Sequence, residues 1–401
     1  MTASADHAHS KAEERRALGV ACGAHALHDG YTDLIYVMLP IWQHEFGLGF
    51  AALGLMKTVF SGTLAGFQIP SGLLAERFGA PIVLALGTAL VGFGYCLAGF
   101  SSGVAALVAA LFVAGLGAST QHPLASSLIA HAFAGARSLK ALGTYNFAGD
   151  IGKMTLPAAA SLLFVLLPWR EALLLLGGLG ALAAIIIYVL IPRFAAVAAA
   201  PRRSEASAGA GSRLSQFGFP LLLSVGVIDS ATRMAFLTFL PFVLTAKGAS
   251  LPTVGLALTL VFAGGAAGKL VCAFIGARIG AVATVWLTEA VTALGIVALL
   301  PLSLEAALAL LPLVGVALNG TSSVLYGSVP DLVAAARRQR AFGIFYTGTI
   351  GAGAVSPALY GLLGDAVGVP SALMMVAAVV LLTLPITLAL RPALAVRSST
   401  S

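Results

Sequence analysis

Charged residues are scarce in this chain of 401 residues: Asp, Glu, Lys and Arg together make up only 9% of it. Soluble globular domains carry about 25% charged residues, so the composition excludes a soluble fold. Cysteine is scarce too, and three cysteines lying in apolar stretches exclude a secreted scaffold held by disulfide bonds. What is abundant is apolar sequence, with 59% hydrophobic residues and a mean hydropathy of +1.00. This composition is typical of a protein that crosses a membrane several times.

Several motifs of energy conversion and catalysis are also missing from the sequence. It has no Gly-x-x-x-x-Gly-Lys-Ser/Thr loop, so ATP is not expected to drive it. It has neither a zinc-protease helix motif nor a Gly-x-Ser-x-Gly turn, and we predict no enzymatic activity and no cofactor. The net charge of +7 is dispersed between apolar runs rather than gathered on one face, which argues against nucleic acid as a partner.

Apolar runs of the length needed to cross a hydrocarbon core, about 17 to 25 residues, recur along nearly the whole chain. They predict an all-α membrane protein with twelve transmembrane helices. The predicted spans lie near 17–41, 50–75, 81–99, 104–130, 141–167 and 171–192, and near 216–243, 252–275, 282–301, 306–330, 341–363 and 371–390.

Lysines and arginines are distributed unevenly between the two sides that these spans define. If the N-terminus is cytoplasmic, sixteen of the 22 lie in cytoplasmic segments, and only Arg170 and Lys247 lie in outer loops. Positively charged loops stay on the cytoplasmic side of a membrane. We therefore predict a multi-pass protein of the cytoplasmic (inner) membrane with both termini inside.

The two halves of the chain resemble each other. At an offset of 200 residues Asp29 corresponds to Asp229, and with one extra residue Gly79 corresponds to Gly280. The duplication predicts two parallel six-helix repeats, which suit alternating access around a central site. The predicted parts are a cytoplasmic tail 1–16, an N-terminal bundle 17–193, a flexible cytoplasmic linker 194–213, a C-terminal bundle 214–391 and a cytoplasmic tail 392–401.

One segment between the second and third spans has a distinctive spacing, Gly72-Leu-Leu-Ala-Glu76-Arg77-Phe-Gly79. With it, the chain resembles the major facilitator superfamily, in which such a loop signature takes part in the conformational cycle. Three further patterns are similar to the fosmidomycin-resistance branch of drug exporters. They are His25-x-x-His-Asp29, Phe46-x-Leu-x-Phe50 and Gly115-x-Gly-x-Ser-x-x-His122-Pro123. The resemblance implies the major facilitator fold and secondary transport by alternating access.

Ionisable side chains within the spans mark the candidate functional residues, because each costs about 2.5 to 3.5 kcal/mol to place in a bilayer unless it faces a cavity or a partner. Asp29 and Asp33 are four residues apart, and His25 lies four before Asp29, so the three share one helix face. Such a cluster can bind and release protons, although a structural polar seam between helices is the alternative. The residues predicted to couple protons are His25, Asp29, Asp33 and Asp150.

Span five also contains Asp150 and Lys153, three residues apart. They can form an ion pair on one helix face, or Lys153, together with Arg233, can contact an anionic group of the substrate. His122-Pro123 in span four is either a bent, hydrogen-bonded segment or a substrate contact. The residues predicted to bind substrate are His122, Tyr145, Asn146, Lys153, Asp229 and Arg233.

Metal binding is an alternative for His25, Asp29 and His122, whose nitrogen and oxygen atoms could serve as ligands. No His-rich loop or acidic cluster elsewhere supports it, and we predict no metal. The prediction is thus a monomeric, proton-coupled exporter of a small organic compound. The open alternatives are a proton-coupled importer of a small organic anion, a divalent-metal or metal-chelate transporter, and a membrane protein that has kept only the fold for signalling or assembly.

Overall fold

The structure is a computed structural model that describes residues 10–133, 136–192, 215–334 and 337–398. Within these residues the chain forms fifteen α-helices and no strand. The predicted linker 194–213 lies outside the described residues. The first eight helices are α1 (Lys11–Phe46), α2 (Phe50–Gly66), α3 (Gln68–Phe78), α4 (Ala80–Gly99), α5 (Val104–Ala118), α6 (Gln121–Ala132), α7 (Ala136–Leu166) and α8 (Trp169–Leu190). The others are α9 (Ser215–Ala246), α10 (Leu251–Ile279), α11 (Ala281–Leu299), α12 (Leu304–Leu332), α13 (Arg338–Val367), α14 (Val369–Val380) and α15 (Thr383–Ser398).

The helices account for the predicted spans. Ten segments of the described chain are long and apolar enough to cross a membrane, and the bent pair of α2 and α3 makes eleven. The remaining helix is α1, which is 36 residues long but carries His25, His28, Asp29 and Asp33 along its middle. These polar residues lower its hydropathy without shortening it. The predicted all-α membrane fold is confirmed, and the helix count agrees with twelve spans.

Hydroxyl side chains accompany two of the breaks within spans. Between α5 and α6, Ser119 and Thr120 donate hydrogen bonds back to the carbonyls of Leu116 and Gly117 at 2.7 and 2.9 Å. Between α14 and α15, Thr383 donates to the Val380 carbonyl at 2.5 Å. Such local bonds compete with the helical ladder and favour a bend.

The segment predicted to be a loop between spans two and three is mostly helical. Gly72, Glu76 and Arg77 lie within α3, which meets α2 at an angle of 43°, and only Gly79 leaves the helix. Gly79 has φ +89°, and its counterpart Gly280 has φ +83°, a conformation in which other residues are strained. The two corresponding glycines therefore make the same turn in both halves of the chain.

A carboxylate from α13 caps the N-terminus of α2. The backbone amides of Phe50 and Ala51 donate hydrogen bonds to Asp365 Oδ1 and Oδ2, at 2.6 and 2.9 Å. These amides belong to the first turn of a helix, where N–H groups have no partner within the helix and negative charge is favoured. A Cβ atom at Gly49 would lie 2.8 Å from the Asp365 carboxylate, so glycine leaves room for this approach.

By their contacts the residues form two compact units. Unit one takes the described residues of Met1–Asp33, Gly66–Leu156 and Leu167–Ala199, and unit two takes those of Leu34–Ala65, Pro157–Leu166 and Ala200–Ser401. Helices α1, α2 and α7 thus contribute to both units. Unit one includes an apolar core that runs from Ala17 to Ile191, and unit two includes one that runs from Leu222 to Leu390. The predicted division into bundles 17–193 and 214–391 remains a prediction.

Candidate proton and substrate site

Asp29 lies at the centre of a charged cluster within unit one. Its Oδ2 atom is 3.2 Å from Lys153 Nζ on α7 and 3.3 Å from His25 Nε2 one turn earlier on α1. Its Oδ1 atom is 3.7 Å from His122 Nε2 on α6. Three helices thus bring three other predicted site residues around the Asp29 carboxylate, and Asp29 is only 6% exposed.

His25 is held in one orientation by Tyr145. The His25 Nδ1–H donates a 2.8 Å hydrogen bond to the Tyr145 carbonyl, and the two rings stack at 4.0 Å. A carbonyl only accepts hydrogen bonds, so Nδ1 must carry a proton. A neutral His25 would then direct the lone pair of Nε2 at the Asp29 carboxylate. The contact is favourable only when a proton lies between them, on either the imidazole or the carboxyl.

Glycines bring α7 close enough to α1 to form this cluster. A Cβ atom at Gly149 would lie 2.6 Å from His25 Cε1 and 2.8 Å from Asp29 Oδ2. A Cβ atom at Gly152 would overlap the Ala26 carbonyl, and one at Gly30 would lie 2.6 Å from Leu156 Cβ. The close approach of α1 and α7 therefore depends on glycine, which has no side chain, at these three positions.

Other predicted site residues of unit one surround the cluster. Asp33 and Asp150 are buried, and both act electrostatically on Lys153. Tyr145 is buried and contributes its carbonyl and its ring, whereas Asn146 on the same helix is exposed. The sequence predicted Asp150 as the partner of Lys153, and the structure adds Asp29 at 3.2 Å.

The remaining predicted residues lie elsewhere. Asp229 and Arg233 are part of unit two, where Asp229 interacts with Glu289 of α11. Glu76 and Arg77 are exposed at the end of α3.

Sequence reasoning missed several contributors. His28 Nε2 donates to Thr88 Oγ1 of α4 at 2.8 Å, and Thr88 in turn donates to the Leu84 carbonyl. A single threonine in an apolar run gives no signal of this role. Gly149 was likewise unremarkable among the 46 glycines of the chain, because its importance lies in what it approaches.

The cluster resembles a metal site in geometry but not in charge. Ligand atoms of His25, Asp29 and His122 all lie within 4.8 Å of one another. The Lys153 ammonium, however, is already in contact with the same carboxylate and would repel a cation. The described donor set therefore suits a proton better than a divalent ion.

The fold and this buried cluster define a polytopic helical membrane protein with a polar site inside it. The chain belongs to the Major Facilitator Superfamily, whose sequence model matches residues 21–225 and 222–401. The resemblance inferred from the motifs is thereby confirmed. Proteins of this superfamily are secondary transporters of small molecules in lipid bilayers rather than enzymes.

Two curated relatives match part of the chain. It is 31% identical over 163 residues to the "Probable sulfoacetate transporter SauU" of Cupriavidus necator, covering 40% of this chain and 37% of that protein. It is 27% identical over 177 residues to the fosmidomycin resistance protein of Escherichia coli, covering 44% of this chain and 43% of that protein. The chain thus spans about two fifths of the length of each relative.

Solved structures share the fold along nearly the whole chain. A bacterial homologue of the human lysosomal transporter Spinster, in an inward-facing and unoccupied conformation, superposes with a TM-score of 0.78 at 15% identity. The match covers 96% of this chain and 98% of that one. At this identity the comparison concerns the fold alone.

Proposed function

We propose that this chain is a proton-coupled secondary transporter of a small organic anion, in which Asp29 takes the proton and Lys153 takes the anion. The observation that carries the proposal is the 3.2 Å contact between Asp29 Oδ2 and Lys153 Nζ. An ionised Asp29 holds the ammonium, whereas a protonated Asp29 releases it. Proton and anion then favour each other's binding, since such coupling is reciprocal.

The two histidines provide a route for the proton. The Lys153 and His122 side chains are 31% and 34% exposed, so one side of the cluster is accessible while Asp29 itself is buried. His25, fixed by the Tyr145 carbonyl, exchanges a proton with Asp29 through Nε2 only. His122 is 3.7 Å from Asp29, slightly beyond hydrogen-bonding distance, and a small movement brings it within reach.

The substrate class has support from one relative's name. Sulfoacetate carries sulfonate and carboxylate groups, and an ammonium such as that of Lys153 forms charge-assisted hydrogen bonds with both. The proposed substrate contacts also include Tyr145, Asn146, Asp229 and Arg233. The proposed participants in proton coupling also include Asp33 and Asp150. The exposed amide of Asn146, on the same helix as Lys153, is suited to a polar substrate group.

Export is the second candidate function. It is favoured by the similarity to the fosmidomycin resistance protein. Reciprocal binding of proton and anion suits symport, which moves the anion in the direction of the protons. Antiport is simpler if a cationic substrate competes with protons for Asp29. We further propose a monomer in the cytoplasmic membrane with both termini inside, based on the distribution of lysine and arginine.

Transport by the purified full chain in proteoliposomes tests these alternatives, with sulfoacetate and fosmidomycin as probes. Symport predicts that a probe accumulates on the side towards which protons flow, with a matching pH change. Accumulation on the opposite side indicates antiport. Two results contradict the proposal. One is uptake that does not depend on the proton gradient, and the other is a preference for the cation tetraphenylphosphonium over both probes. Protein-free liposomes and the Asp29→Asn variant serve as controls.

A further inference from the structure

A second pair of acidic side chains is buried in unit two, on helices that the proton site described above does not use. Asp229 of α9 is 3% exposed and Glu289 of α11 is 1% exposed. Their carboxyl groups act on each other electrostatically, and the Arg233 guanidinium acts on both. Two ionised carboxylates side by side in a low-dielectric interior repel each other, which favours a proton on one of them.

Counting charges leads to the same result. With both carboxyls ionised, the pair and Arg233 would carry one net negative charge inside the bilayer, and with one proton they are neutral. A net charge at this depth costs about 2.5 to 3.5 kcal/mol on insertion scales. The neutral arrangement, with one carboxylate and one carboxylic acid near the Arg233 guanidinium, is therefore favoured.

Unpartnered atoms at the cluster agree with a neutral Glu289. Glu289 Oε1, Arg233 Nε and Thr292 Oγ1 are buried and have no hydrogen-bond partner in the described structure. A buried carboxylate oxygen without a donor is far more costly when the group is ionised than when it is neutral. These groups also leave unused hydrogen-bonding capacity around the pair.

Side chains of α9 and α12 act on the pair. The groups that act there are Arg233 of α9 together with Thr321 and Tyr326 of α12. Thr321 donates a 2.7 Å hydrogen bond to Thr288, one residue before Glu289. Helix α14, which packs on both α9 and α11, contains no titratable residue. Among these groups, Arg233 is thus the single cation that acts on the two acids.

We propose that Asp229 and Glu289 hold one proton between them and form a second proton-binding site of this transporter. Release breaks one carboxyl O–H bond, passes the proton to water and leaves both carboxylates ionised. Because Glu289 is almost fully buried, release requires a conformation that admits water to the pair. The site stands independently of the role proposed for Asp29, and its occupancy can be measured without a substrate.

Infrared spectroscopy of the purified full chain in lipid nanodiscs at neutral pH tests the proposal, using the carbonyl stretch of protonated carboxyl groups in H2O and D2O. Glu289→Gln and Asp229→Asn are each expected to lose one protonated carboxyl relative to the parent. Asp29→Asn is expected to keep this component, which separates the two sites. Glu305→Gln, which changes an exposed carboxylate on α12, is the matched control and is expected to change nothing.

Removing the cation tests the charge argument in the opposite direction. Arg233→Gln is expected to gain one protonated carboxyl, because neither acid then has a positive charge beside it. A purely structural role for the pair predicts no such gain. The proposal is overturned if Glu289→Gln and Asp229→Asn both retain the full parental signal, or if Arg233→Gln shows no increase.

Discussion

The His25 imidazole has one nitrogen committed to the Tyr145 carbonyl and the other directed at Asp29. The Tyr145 carbonyl fixes the tautomer of His25, because it can only accept a hydrogen bond. It makes His25 a proton donor or acceptor towards a single partner. At the scale of residues, the function of the cluster therefore depends on two things. One is which group carries the proton, and the other is whether Asp29 or the substrate anion contacts Lys153.

Replacing Asp29 by Asn is expected to uncouple transport from protons. The amide has nearly the same volume but cannot carry a proton or hold Lys153 as an ion pair. Sulfoacetate binding should become independent of pH, and accumulation driven by a proton gradient should be lost. Binding assays across the pH range and gradient-driven uptake check this. Normal uphill transport by a folded Asp29→Asn variant would show that the residue is structural.

Replacing Lys153 by Gln is expected to weaken binding of an anionic probe. A hydrogen bond to a charged group contributes about 2 kcal/mol, so the Kd for sulfoacetate should rise about thirtyfold. The matched control is Lys140→Gln, which removes an exposed lysine of the same helix. Unchanged affinity for anions in Lys153→Gln, at every pH, would rule out the anion site.

The sequence predicted the members of this cluster better than their pairing. Helical spacing correctly grouped His25 with Asp29, because residues four apart share a face. Partners on different helices depend on the rotation and approach of each helix. For this reason spacing indicated Asp150 for Lys153, while the contact with Asp29 emerged only from the crossing of α1 and α7.

At the scale of helices, that crossing depends on glycine at a few positions. Gly149→Ala places a methyl group against His25 and Asp29. Overpacking of this kind costs about 1 to 3 kcal/mol, so we expect a lower Tm and a loss of proton coupling. Gly143→Ala on the same helix is the control, because a Cβ atom there meets nothing within 4 Å. Equal stability and transport of the two variants would refute a packing role for Gly149.

The capping of α2 by Asp365 is expected to hold α2 against α13 at this end. Losing such a cap costs about 1 kcal/mol, which shifts a two-state population about fivefold. Asp365→Ala should therefore lengthen distances between spin labels at Leu55 of α2 and Val367 of α13, both exposed, measured by double electron–electron resonance. Asp331→Ala, at an exposed carboxylate of α12, is the control. Identical distance distributions in both variants would mean that the cap does not restrain α2.

Helix existence was predictable, and helix breaks were not. The spans followed from long apolar runs, and the duplication matched Gly79 with Gly280, which both have a positive φ in the structure. The composition did not predict the bend between α2 and α3, nor the helical form of the segment around Glu76. A helix end surrounded by other helices is set by packing, which a single sequence does not encode locally.

At the scale of the whole molecule, the asymmetry of lysine and arginine predicts the orientation in the membrane. A cysteine introduced at Ser207, in the predicted linker outside the described residues, should react with an impermeant reagent only after the cells are permeabilised. A cysteine at Ser102, an exposed residue of a predicted outer loop, should react in intact cells. The reverse pattern would invert the topology.

The contact between Lys153 and Asp29 also determines how the membrane potential acts on the transporter. An empty site with Asp29 ionised and a loaded site with one proton and one monovalent anion differ by no net charge. Moving one charge through 100 mV corresponds to about 2.3 kcal/mol, and this cluster contributes none of it when the anion is monovalent. A dianion such as sulfoacetate would need a second proton for the same balance. A proton carried by Asp229 and Glu289 is not accompanied by an anion that cancels its charge. The first cluster would then respond to the pH gradient and the second to voltage.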